Sequence, residues 1–330
     1  MKLKIKGRVK SLTPNIMMSV FSVAALITVP IRTYQNVSMV EPDTGFFYNT
    51  NFSIWALYII LFASVLLLFI MAFLSGSMPK PSMPFGENKV IGFASAGFAI
   101  TLLSDAVFQV VNFIDIYKGY SSALIQNWQY FLKTGCIPIA LQAVFAIMSA
   151  VYFFIFATSY FTGNELFKKN KYLALSPIVW GIFRVIFRFI QPINFRNISQ
   201  LLLELIMIVL MLVFFLTVAR IASKVDERES MWLFFASGLS ASLFALVCTI
   251  SPIVMVITGN SSLVYKGDMI SFCDIGFACF AISLMLEIVQ SKKDRAGIGD
   301  EEEMKVVSHE EYVNDKVGYM EETDEENNAR

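Results

Sequence analysis

Eight times along this chain a largely apolar run of membrane length is followed by a short polar connector, at roughly 14–33, 52–75, 90–114, 136–161, 172–191, 198–222, 231–258 and 270–290. An α-helix rises about 1.5 Å per residue, so some 20 apolar residues cross a hydrocarbon core about 30 Å thick. The pattern predicts an all-α fold, a polytopic integral membrane bundle of eight transmembrane helices. Composition agrees: 56% of the residues are hydrophobic and 16% charged, against about a quarter charged in soluble domains.

The amino terminus, MKLKIKGRVK followed by an apolar run, has the charge order of a signal peptide. The run is longer than an ordinary signal core and lacks a small-x-small cleavage site, so it is read as a retained first span. The expected organisation is a basic N-terminal segment over 1–13, the eight-helix domain over 14–290 and an acidic tail over 291–330. From Ala296 onward twelve acids face only Lys305, Lys316 and Arg330, leaving fourteen acids and twenty-three bases in the rest. The tail is charge-rich with no sustained apolar stripe and is expected to be disordered, either as a solvating extension or as a docking segment for a cytoplasmic protein partner.

Lys and Arg near the span ends fall sixteen on one side and five on the other, which predicts a cell-membrane protein with both termini cytoplasmic. The outer connectors carry N-x-S triplets at Asn36, Asn51, Asn197 and Asn260. These read either as glycan acceptors or as chance products of Asn- and Ser-rich loops. The connector from Asp115 to Gly135 mixes Tyr117, Tyr120, Trp128 and Tyr130 with polar residues, the composition of a segment lying at the membrane interface.

Short matches link the first four spans to the last four. Arg32-Thr33-Tyr34-Gln35 aligns with Arg188-Phe189-Ile190-Gln191, Phe93-Ala94-Ser95 with Phe235-Ala236-Ser237, and Cys136 with Cys273. Either a 4+4 parallel repeat or compositional coincidence produces them.

The fifth run, LALSPIVWGIFRVIFRFIQ, carries Arg184 and Arg188 one turn apart on one face. Like charges so placed repel, and a lone Arg near the bilayer centre costs about 2.5–3.5 kcal/mol on insertion scales. Acids must answer them. Six charged residues fall inside the hydrocarbon or at its outer edge, namely Arg32, Arg184, Arg188, Asp105, Glu204 and Asp274, and counting along each helix puts them in one layer in the outer half of the bilayer. Gln109 and Gln142 share that level, with Gln35 and Gln191 at its rim. Charges at such depth mark either a ligand site or a structural clamp, and the short connector at Pro192 makes an Arg188–Glu204 pair easy to form. Three bases against three acids argue against a strongly anion-selective pocket unless one acid stays protonated, in which case binding could be coupled to a proton. Pro177, just before Gly181 and the arginines, predicts a kink in the fifth helix.

The single histidine, His309, lies in the tail, which removes His-based metal and nucleophile chemistry from the membrane. Cys136, Cys248, Cys273 and Cys279 lie in or beside apolar runs without a CxxC pair and read as core residues. The chain holds neither a P-loop, a GxGxxG nor paired aspartates of the kind that hold Mg²⁺ at a lipid headgroup, so no cofactor, metal or nucleic acid is expected. The first functional expectation is a transporter or permease-like protein for a small polar or zwitterionic solute, with Arg184 and Arg188 as solute or gating contacts and Asp105, Glu204 and Asp274 as counter-ions. The alternative is a non-catalytic subunit or sensor acting through its tail. A cofactor-free lipid enzyme ranks third.

Overall fold

A computed structural model describes residues 14–41, 47–48, 52–75, 88–121, 133–164, 172–190, 198–223, 227–259 and 271–290. Among these, eight helices are long and apolar enough to cross a membrane. They are α1 (Pro14–Ser38), α2 (Phe52–Leu74), α3 (Lys89–Ser121) and α4 (Cys136–Thr162), then α5 (Ser176–Ile190), α6 (Ile198–Ala222), α7 (Glu227–Ile257) and α8 (Phe272–Gln290). The chain is thus an all-helical, multi-pass membrane protein. The basic N-terminal segment, the acidic tail, the triplets at Asn51, Asn197 and Asn260, the interfacial residues of 122–132 and Gln191 lie outside the described residues.

Successive helices are antiparallel. The ends of α1, α3, α5 and α7 meet the beginnings of α2, α4, α6 and α8 at one end of the bundle, here called distal, as the bonds from Gln35 to Ser53 and from Arg188 to Glu204 show. At the proximal end the start of α3 meets the end of α4, where the Asn88 N–H donates to the Tyr160 carbonyl at 3.1 Å. Asn88 also caps α3, its side-chain oxygen accepting the Val90 and Ile91 N–H groups at 2.9 and 3.2 Å and satisfying donors that a helix start leaves unpaired.

Two helices outrun the apolar signal that announces them. α3 continues to Ser121, placing Asp115 and Lys118 on an exposed final stretch where water can solvate them. α1 continues to Ser38 because its polar end finds partners inside the bundle. Pro177 does not kink a continuous helix. It sits in the first turn of α5, after a short 3₁₀ turn at Leu173–Leu175, and a helix start needs no N–H at that position. Gly163 ends α4 with φ 67°, the left-handed conformation that a residue with a Cβ resists.

α8 is the hub. Phe277 and Phe280 on it pack against Phe98 of α3, with ring centroids 6.1 and 5.8 Å apart. Phe280 also meets Phe153 of α4 at 5.0 Å, and Phe277 meets Phe215 of α6 at 5.5 Å. Close approach to α8 is secured by small residues. A Cβ on Gly276 would collide with Thr101 of α3, and one on Gly238 of α7 with Met285 and the Phe214 ring. Small residues at helix contacts are the usual way for backbones to approach in lipid, where dispersion replaces the hydrophobic effect. α1 and α2 pack on α7, and α2 turns Phe52, Trp55, Phe62 and Phe73 outward, exposed in the way a lipid-facing surface requires.

Candidate functional site

Distal to the phenylalanine floor, the polar side chains of the spans meet one another. Arg184 on α5 is 6% exposed, and its guanidinium lies fork to fork with Asp274 on α8, Nη1 to Oδ1 at 2.5 Å and Nη2 to Oδ2 at 2.8 Å. Nη2 also donates to Ser271 Oγ at 3.3 Å. A bidentate pair of this kind combines charge with fixed geometry. One turn on, Arg188 Nη2 meets Glu204 Oε2 of α6 at 2.6 Å. The two arginines therefore escape mutual repulsion by using acids on two different helices.

Glu204 is held from its other side. Gln200, one turn earlier on α6, donates to Glu204 Oε1 at 3.2 Å and to the Cys248 carbonyl of α7 at 3.1 Å. Its own oxygen accepts from Arg32 Nη2 of α1 at 3.3 Å, and the same nitrogen donates to Ser199 Oγ at 3.1 Å. Asn36 donates to Ser251 Oγ of α7 at 2.8 Å. That places the first N-x-S triplet in a helix-to-helix contact, where its amide is engaged. Gln35 donates to the Ser53 carbonyl at the start of α2 at 2.7 Å, away from the charged groups.

Asp105 on α3 stands differently. Among the described residues no basic side chain lies within ion-pair distance of it. Three neutral donors surround its carboxylate: Trp180 Nε1 at 2.9 Å and Gln142 Nε2 at 3.2 Å on Oδ2, and Gln109 Nε2 at 3.2 Å on Oδ1. They come from α5, α4 and α3 itself. The Trp180 ring in turn lies beneath Arg184, whose Cζ is 5.5 Å from the ring centroid, a cation–π arrangement. Trp180 thus joins Asp105 to the paired arginine.

The structure brings Arg184 to Asp274, Arg188 to Glu204 and Gln109 to Asp105. It places Arg32 against the α6 face that holds Glu204, through Gln200. Trp180, Gln200, Ser199, Ser271 and Ser251 also belong to the site, although they carry no charge to draw attention. A signal for Trp180, Gln200 and Ser271 was present in the spacing. Trp180, Arg184 and Arg188 are four apart, as are Gln200 and Glu204, and Ser271 precedes Asp274 by three, so each lies on a face already marked by a charge.

Each orphaned polar atom in such surroundings costs about 1–3 kcal/mol. The oxygens of Gln35, Gln109 and Gln142 are buried with no hydrogen-bond partner. Among the described residues no group of three or more His, Cys, Asp or Glu could hold a metal ion. Compared with family models, curated proteins and solved structures, the chain matches none.

Proposed function

We propose that this membrane protein binds and moves a small polar or zwitterionic solute through the distal polar layer. The observation that carries the reading is the placement of Arg184–Asp274 and Arg188–Glu204 side by side in the core, contributed by three helices, α5, α6 and α8, directly above a floor of phenylalanines. A zwitterion carries a carboxylate and an ammonium, and this layer offers a counterpart to each by exchanging one protein ion pair for two solute pairs. The swap keeps charge compensated throughout, as a low-dielectric site requires. The rings of Phe98, Phe153, Phe277 and Phe280 lie on the proximal side of the layer, where a transporter would need a barrier. In the orientation proposed from the Lys and Arg bias, the distal end faces away from the cytoplasm. A green fluorescent protein fused after Arg330 should then fluoresce, and alkaline phosphatase at the same place should be inactive.

The test is thermal unfolding of the purified full-length protein against a panel of the twenty amino acids, betaine and choline. At least one zwitterion should raise the midpoint saturably, by several degrees, and Arg184→Gln should abolish that shift while the protein stays monodisperse. If no member of the panel shifts wild type, or if Arg184→Gln responds as wild type does, the reading fails. Should Arg184→Gln lose the fold and Asp274→Asn restore it, the pair is a clamp.

A further inference from the structure

We infer that Asp105, together with the amide oxygens of Gln109 and Gln142, forms a binding site for one monovalent alkali cation of sodium's size. The first support is charge. Arg184 is paired with Asp274 and Arg188 with Glu204, so Asp105 has neither guanidinium at ion-pair distance and feels the Arg184 charge only from farther off. Its carboxylate is held instead by three uncharged N–H groups. A carboxylate within a membrane helix calls for a positive partner.

The second support is independent. Gln109 is 6% exposed and Gln142 1%, both point their amides at Asp105, and both leave the amide oxygen buried without a donor. Rotation about the bond to the terminal amide changes which edge faces the carboxylate and moves no backbone atom. Turned inward, the two oxygens flank Asp105 and find in a cation the partner they lack, and the cation replaces the two N–H bonds that the carboxylate gives up. Trp180 can keep its bond to Oδ2 meanwhile. Asp105 is partly exposed, which leaves an edge for water to complete the shell.

The donors choose the ion. A carboxylate and amide oxygens suit hard cations and not thiophilic metals. One carboxylate without a cation at ion-pair distance suits one positive charge, and the other acid bonded to this part of α5, Asp274, is already taken by Arg184. A divalent ion would leave a surplus charge in lipid. The Trp180 ring, bonded to Asp105 and lying under Arg184, puts the cation next to the arginine proposed to meet the solute. The inference rests on the same reading of the layer as a ligand site, yet its test needs no solute.

Full-length protein is purified in N-methyl-glucamine chloride, and ²²Na⁺ binding is measured by scintillation proximity alongside thermal unfolding in NaCl or N-methyl-glucamine chloride at equal ionic strength. Wild type should bind ²²Na⁺ saturably with one ion per chain, and NaCl alone should raise the midpoint. Asp105→Asn should reduce binding to background, and Gln142→Leu, which leaves the carboxylate in place, should weaken it at least tenfold. Absence of saturable binding to wild type, or binding unchanged in either variant, overturns the proposal. If Asp105→Asn does not fold, wild type and Gln142→Leu decide. Sodium binding without any zwitterion response would retire the transport reading and leave this site standing. A zwitterion response in wild type without saturable ²²Na⁺ binding would do the reverse.

Discussion

Glu204 has two reasons to be where it is, the Arg188 guanidinium on one oxygen and the Gln200 amide on the other. Removing one member of a largely desolvated pair leaves the survivor's charge unanswered, a loss of about 3–5 kcal/mol. Arg188→Gln or Glu204→Gln alone should therefore lower the thermal midpoint sharply, and the double variant should recover most of it. Equal losses in all three would show that the pair does not govern stability. This pairing could be read from the chain because a few residues of connector tie the two helices together. The partner of Arg184 could not, since Asp105 and Asp274 compete for it at the same depth and only the packed helices choose. Trp180 and Gln200 are hidden in the chain for a different reason: an indole reads as apolar filling and a neutral amide carries no insertion cost large enough to demand an explanation. Asn36 reads from the chain as a triplet on a loop, because the apolar run ends before it while the helix does not.

At the scale of helices, the length of each apolar run set most boundaries to within a few residues, as it must when lipid leaves the backbone no alternative to internal hydrogen bonding. What the runs do not carry is which faces touch, and here glycines discriminate. Gly238 faces Met285 and the Phe214 ring so closely that a side chain must displace them, whereas Gly97 of α3 has open space where its Cβ would go. Gly238→Val should cost about 1–3 kcal/mol through overpacking and lower the midpoint measured on detergent-solubilised protein. Gly97→Ala should leave that midpoint unchanged or raise it, since alanine holds a helix better. A reversed order would mean that α7 and α8 do not approach as described.

In the whole molecule, α8 touches α3, α4, α5, α6 and α7 through Gly276, Phe280, Asp274, Phe277 and Met285 respectively. Nothing in its composition distinguishes this helix from its neighbours, so its central place was not legible from the chain. Helices that are stable on their own in lipid can associate after insertion, so residues 1–259 and 260–330, expressed as two chains, should co-purify. Asp274→Asn in the shorter one should greatly reduce recovery of the pair, and undiminished recovery would remove Arg184 from the forces that hold α8. The same ordering bears on biogenesis. Arg184 and its acid are 90 positions apart, and ribosomes add about 5–20 residues per second. For roughly 5–20 seconds the nascent chain has to shelter a cation whose counterpart has not yet been translated, so insertion machinery or the lipid headgroups must hold α5 until the final helix arrives to release it.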